Sequence, residues 1–192
     1  MAIRSGDVLG PYTIERVLSK QGGMSQLLLA YETDRPQYKA AIKAHLTQSS
    51  NRLAYQDLLR HEVTILQELR HPGIVRVYPM RIDGKVVYTA RAADRPDQPW
   101  YFAMEYLGAD SLDKHLDRIV KKFPLVWSME LFYQLLTVIH FMHQSGYAHC
   151  DLKPHNILFR HPPNPSHTPD PVLVDFGSAT SIAKGMDQLS FS

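Results

Sequence analysis

The hydrophobic period of this chain changes near Gly108, and that change fixes its fold class. Before it, apolar residues come in short runs: Tyr12 to Leu18, Leu27 to Tyr31, Ala40 to Ala44, Ile74 to Pro79, Lys85 to Ala90 and Trp100 to Glu105. Turn-forming segments such as Gly22-Gly23 and Asp94 to Pro99 separate them, so the runs read as strands of an antiparallel sheet. Residues 51 to 70 instead place Leu59, Glu62, Val63, Leu66 and Leu69 on one helical stripe that stops before His71-Pro72-Gly73. After Gly108 the period is helical. Ser111 is expected to cap Leu112 to Ile119, and Ser128 to cap a longer helix with Phe132, Leu135, Leu136, Ile139 and Met142 on one face until Gly146. The expected class is α+β: a strand-rich half with one helix, a hinge at 105 to 110, and a helical half, with residues 1 to 9 as a tail.

Composition narrows the function. A chain of 192 residues with 44% hydrophobic and 21% charged residues can bury a core of one or two domains. A formal net charge of +2 gives no reason to expect nucleic acid as a partner. The single cysteine, Cys150, excludes an internal disulfide and a cysteine-rich zinc module, which fits the cytoplasm. No uninterrupted apolar run reaches the roughly 18 residues of a membrane span, so no membrane segment is expected. Ten histidines raise the question of a metal, but His140 and His143 are flanked by Ile139, Phe141 and Met142, without carboxylate or thiol at ligand spacing.

Chemistry concentrates in His149-Cys150-Asp151-Leu152-Lys153-Pro154-His155-Asn156 and in Val172-Leu173-Val174-Asp175-Phe176-Gly177. These runs place a carboxylate, an amine, a carboxamide and a second carboxylate in an order that phosphoryl transfer can use. In the first half, Ala41 and Lys43 point to one side of a strand and Ile42 to the other. Glu62 faces the apolar stripe of its own helix, where an unpaired carboxylate would cost several kcal/mol. Lys43 is its natural partner. Between the strands Ile157 to Phe159 and Val172 to Val174, the segment His161 to Pro171 has five prolines in 11 residues and reads as an irregular loop.

The two runs resemble the catalytic loop and metal-binding motif of eukaryotic-type serine/threonine protein kinases of bacterial style, and the resemblance covers nearly all of residues 10 to 180. It implies a two-lobed protein-kinase-like fold, with an antiparallel-sheet small lobe over about 10 to 104 and a partial, mostly helical large lobe over 111 to 192. It implies ATP and Mg2+ as cofactors and a protein serine or threonine as substrate. Asp151 would orient and deprotonate the hydroxyl, and Lys153 would neutralise the migrating phosphoryl group. Lys43, paired with Glu62, would hold the inner phosphates, while Asn156 and Asp175 would hold the metal. Gly22 and Gly23 would cover the phosphates. Leu18, Leu27, Ala41, Met104 and Leu158 would wall the cofactor cleft, and backbone groups of Glu105 and Leu107 would meet the adenine edge. Leu66, Val77, His149 and Phe176 would form an internal spine.

The chain departs from the family pattern in two places. Ser19 or Lys20, and Ser25, stand where the family has the first and last glycines of its phosphate loop, which predicts weaker nucleotide affinity. Cys150 stands where most members have the arginine that grips a phosphorylated activation segment. The chain ends at Ser192, 15 residues after Gly177, so the family's later substrate-binding segment and helices are expected to be missing. An apolar face on the helix from Ser128 to Gln144 would then be left for a partner. The two readings are an ATP-dependent serine/threonine protein kinase and a non-catalytic, kinase-derived binding module or inactive fragment. A small-molecule kinase is disfavoured by Asp151-Leu152-Lys153-Pro154.

Overall fold

In a computed structural model the described residues are 2–21, 25–45, 52–93, 95–118 and 124–183. Gly22, Gly23, Asp94, Ile119 and Ser192, named above, lie outside them. Contacts divide the chain into one unit of Met1–Gln67 with Arg76–Tyr106 and another of Glu68–Val75 with Leu107–Ser192.

The first unit is built on an antiparallel sheet. Its strands are β1 (Val8–Leu9), β2 (Tyr12–Gln21), β3 (Ser25–Glu32), β4 (Arg35–His45), β5 (Val77–Tyr78), β8 (Ala90–Arg91) and β9 (Trp100–Glu105). The order is β1-β2-β3-β4-β9-β5, with β8 also paired to β9. Helix α1 (Arg52–Glu68) follows β4, and a separate hairpin joins β6 (Met80–Ile82) to β7 (Lys85–Val87). That hairpin turns through Asp83-Gly84, both with positive φ (47° and 75°), as a tight two-residue connection requires.

Alternation along the strands gives the sheet two different faces. Leu28, Ala30, Ala40, Ile42, Ala44, Tyr101 and Ala103 join Ile3, Leu9, Tyr12 and Ile14 in one buried cluster. Their neighbours Leu27, Ala41, Lys43, Phe102 and Met104 face the other way. Gly10, between β1 and β2, has φ +55°, and a Cβ there would lie 2.1 Å from the Tyr101 hydroxyl. That position accepts glycine alone.

Two expected strands are shorter or divided. Of Ile74 to Pro79 only Val77–Tyr78 joins the sheet, whereas Ile74 makes a single parallel bridge to Leu173 in the second unit. The segment has to pass from one unit to the other, so its ends pair differently. Lys85 to Ala90 divides because Lys85–Val87 turns back on Met80–Ile82 while Ala90 pairs with Tyr101. Within the segment expected as a tail, Ile3 and Leu9 belong to the core.

The second unit contains α2 (Leu112–Arg118), α3 (Leu125–Gln144) and two short antiparallel pairs of strands. These are β10 (Tyr147–Ala148) with β13 (Thr180–Ser181), and the hairpin of β11 (Ile157–Phe159) with β12 (Pro171–Leu173). Ser111 begins α2 as expected, its carbonyl accepting from the His115 N–H at 3.0 Å.

Helix α3 departs from expectation at its start and in its buried face. It begins at Leu125 with Pro124 as N-cap, and the Ser128 hydroxyl donates back to the Pro124 carbonyl at 3.3 Å instead of capping. Proline fixes the extended entry, so no serine cap is needed. Trp127, Leu131, Val138 and Met142 are buried, while Phe132 and Leu136 are exposed. The helix is apolar nearly all round, so its periodicity alone could not select the face. By length and composition α3 could also cross a membrane, which a search for uninterrupted apolar runs misses because Ser128, Glu130 and Gln134 break them. Within this unit it packs Val138 against Gly73, where a Cβ would lie 2.2 Å from Val138 Cγ2.

Candidate active site

In the first unit, antiparallel register brings the expected residues into rows. Lys43 lies opposite Leu27 on one side and Phe102 on the other, and Ala41 opposite Leu29 and Met104. Leu27, Ala41, Lys43 and Met104 therefore share one face. Leu18 lies where the β2–β3 register shifts between Val17 and Ser19, a bulge at which alternation no longer fixes the direction of a side chain.

Lys43 Nζ donates to both Glu62 carboxylate oxygens, at 2.8 and 2.7 Å. The lysine is 7% exposed and the glutamate 3%, so each charge has left water and depends on the other. Helix α1 holds Glu62 beside buried Leu59, Val63 and Leu66, which is the stripe that required a cation. Glu105 donates its N–H to the Arg76 carbonyl at 2.8 Å. Leu107 is buried and belongs to the second unit.

In the second unit, one hairpin gathers the other residues. Ile157 pairs with Leu173, and the Val174 N–H donates to the Asn156 carbonyl at 3.0 Å. The loop before β11 and the residues after β12 thus meet at one end of the hairpin. Leu158, half-buried, lies in β11 opposite Val172.

Asp151 is the centre of this cluster. Lys153 Nζ donates to its Oδ2 at 2.7 Å, and Asn156 Nδ2 donates to its carbonyl at 2.9 Å and to Oδ2 at 3.0 Å. The Lys153 bond, supported by Asn156, holds the Asp151 carboxyl below its ordinary range, and the same contact raises Lys153. Asn156 is itself buried.

His149 links the two segments. Its Nδ1 accepts from the Asp151 N–H at 3.4 Å and its Nε2 lies 3.1 Å from the Val174 carbonyl, so the network assigns a neutral ring protonated at Nε2. Burial lowers its pKa, against the pull of the Val174 bond and nearby Asp175 and Asp151. Its ring centroid lies 4.8 Å from that of Phe176. Leu66, Val77, His149 and Phe176 are all buried. Cys150 and Asp175 have left-handed backbone, φ 60° and 63°, an unfavourable conformation for such residues that tends to mark functional loops.

The donor set fits magnesium. Asn156 uses its Nδ2 toward Asp151, which leaves amide-oxygen chemistry for a cation, and Asp175 adds a carboxylate. A hard cation that keeps waters and shares phosphate oxygens needs only one or two such protein donors.

Sequence reasoning missed two features here. His155 Nδ1 lies 3.2 Å from Asp113 Oδ2, tying α2 to the loop. The bridge made by both His149 nitrogens was also missed, although the residue itself was singled out. Its signal was a histidine placed directly before the polar run Cys150-Asp151-Leu152-Lys153.

Known proteins bear on the whole arrangement. The family model described as "Protein kinase domain" matches residues 13–191. Serine/threonine-protein kinase PknD of Chlamydia trachomatis is 29% identical over 178 residues, covering 88% of this chain and 17% of that protein. A probable serine/threonine-protein kinase of Dictyostelium discoideum is 27% identical over 174 residues, 89% of this chain and 23% of that protein. Serine/threonine-protein kinase D2 of Rattus norvegicus is 33% identical over 126 residues, 66% of this chain and 13% of that protein. The chain thus spans less than a quarter of the length of each of these relatives. With the family model matched over almost its whole length, and with serine/threonine kinases as its relatives, the chain belongs to the protein kinase family.

Proposed function

We propose that the chain carries ATP-dependent serine/threonine phosphotransfer, moving the γ-phosphoryl group of ATP to a protein hydroxyl. The observation that carries this reading is the Asp151 carboxylate held by Lys153 and Asn156. ATP with Mg2+ supplies the phosphoryl group and a neutralised leaving group. Lys43, held in place by Glu62, offers its ammonium to phosphate oxygens, and Ala41, Leu18, Leu27, Met104 and Leu158 offer apolar contact to the base. The Glu105 N–H is taken by Arg76, so the adenine edge would use the Glu105 carbonyl and the Leu107 backbone. Asn156 and Asp175 provide oxygen donors for magnesium. Asp151, ionised at neutral pH, orients the incoming hydroxyl and takes its proton as the oxygen–phosphorus bond forms. Lys153 offsets the charge on the migrating group.

The test is paired. Asp151→Asn should lower phosphotransfer to a serine peptide by about a hundredfold or more, the scale of a lost acid–base group, and leave Mg-ATP affinity unchanged in calorimetry. Asp175→Ala should abolish magnesium-dependent nucleotide binding. Undiminished turnover in the first variant, or undiminished binding in the second, removes the corresponding assignment. The exposed apolar face of α3 favours the second reading, a kinase-derived module that binds a partner without turnover. In that case Mg-ATP would leave the thermal midpoint of the wild-type chain unshifted.

A further inference from the structure

The 3-10 turn Pro154–Asn156 carries the residue that steadies Asp151, and a single turn of this kind holds itself weakly. Its own bonds run from the Asn156 N–H to the Lys153 carbonyl, at 2.9 Å, and from the Ile157 N–H to the Pro154 carbonyl. At its end Asn156 is anchored by the Val174 N–H. Of the two donors to Asp151 Oδ2, Asn156 is buried, whereas Lys153 is exposed on a flexible stem. The aim of the carboxylate therefore depends chiefly on where the turn holds Asn156.

His155 sits in the middle of that turn and reaches away from it. Its Nδ1 lies 3.2 Å from Asp113 Oδ2. The Asp113 carboxyl, held down to about 2, is ionised and can only accept, so Nδ1 carries the hydrogen. Asp113 stands in the first turn of α2, where the hydroxyl of buried Ser111 also bonds to it. Two residues further on, the His115 ring lies 6.4 Å from that of Phe159, a fully buried residue of β11. Helix α2 is thus a support packed on β11, from which Asp113 holds the middle of the turn. The contact with His155 is solvent-exposed, and exposed pairs add little to global stability. Its effect is local, one residue from the donor that aims Asp151.

We propose that Asp113 is a positioning residue for phosphotransfer: through His155 it braces the turn of Asn156, and Asn156 keeps the Asp151 carboxylate aimed at the incoming hydroxyl. The inference rests on the phosphotransfer reading above. Neither Asp113 nor His155 takes part in proton or phosphoryl transfer, and both act through the geometry of Asn156 and Asp151. Without the brace a bound peptide finds the carboxylate misaligned, so the loss falls on kcat and not on peptide binding.

The experiment uses the full chain, a serine peptide and saturating Mg-ATP, with kinetics corrected for the folded fraction from thermal unfolding. Asp113→Ala and His155→Ala each remove the contact, and His155→Ala leaves Asp113 bonded to Ser111. Asp113→Asn keeps an accepting oxygen, and His155→Asn places an amide N–H where Nδ1 stood. In the two alanine variants kcat should fall about tenfold or more, toward the roughly hundredfold that a misplacement of about 1 Å can cost, with peptide KM unchanged. The double alanine variant should be no slower than either single one, and the two asparagine variants should recover most of kcat. The Asn156 amide should exchange hydrogen faster in both alanine variants while that of Val138 in α3 does not. Unchanged kcat in the alanine variants, additive losses, or no recovery with asparagine would each overturn the brace and leave the phosphotransfer reading standing. Exchange that rises equally at Asn156 and Val138 would mean general loosening and overturn it as well. A wild-type chain that transfers no phosphate overturns the phosphotransfer reading itself, and the positioning role falls with it.

Discussion

Lys43 and Glu62 carry the largest energetic consequence of any single pair described. Breaking a buried ion pair leaves one charge without compensation, typically at about 3–5 kcal/mol, whereas replacing both charges with apolar groups can be nearly neutral. Lys43→Met and Glu62→Leu should each destabilise the chain strongly in urea unfolding, and the double variant should lose much less than their sum. Additive losses would show that the two charges do not depend on each other. Asp113 makes a pH prediction. Its carboxyl is held down to about 2 from 3.8, first by the Ser111 hydroxyl and then by His155. A depressed carboxylate adds stability above its unfolded value and loses it as pH falls through the folded one. Asp113→Ala should therefore unfold at a lower temperature than wild type at pH 7, with the gap closing between about pH 4 and pH 2. A gap that persisted at pH 2 would place the effect elsewhere.

At the scale of elements, Gly73 and α3 are matched to each other. A Cβ at Gly73 would lie 2.2 Å from Val138 Cγ2, so Gly73→Ala should cost about 1–3 kcal/mol, as overpacking does. Adding Val138→Ala should return part of that loss, and a denaturation series showing no recovery would mean that the strain falls on backbone instead. The same scale shows what could be read in the sequence. Strands β2, β3, β4 and β9 were legible because alternation is local, and the Lys43–Glu62 pair was legible because a carboxylate on an apolar stripe demands a cation. The bulge at Leu18 and the buried face of α3 were not, since the first is a property of two strands together and the second is chosen by contacts such as Gly73 on Val138. The docking of Ile3 on Gln26 was hidden for the same reason: nothing near Ile3 in sequence announces a partner 23 residues away. In the catalytic loop, residue order was legible, but the hydrogen bonds that converge on Asp151 needed the β11–β12 hairpin.

For the molecule as a whole, the outward face of α3 governs behaviour in solution. Leu125, Val126, Met129, Phe132, Tyr133 and Leu136 are all exposed, and apolar patches of this kind promote association. Phe132→Ser with Tyr133→Ser should raise solubility and reduce binding of a hydrophobic dye while changing unfolding free energy by only about 0.5 kcal/mol, as surface changes usually do. A large loss of stability would instead mean that this face is already in use. The sequence holds two tryptophans, and each compact unit has one. Trp100 lies beneath the Arg60 guanidinium at 5.1 Å, whereas Trp127 is buried with its ring 6.1 Å from that of Phe159. A single Trp→Phe change at either position therefore leaves a fluorophore reporting on one unit alone. Coincident denaturation curves from the two variants would mean one cooperative body, and separated curves would mean that either unit can melt while the other still stands.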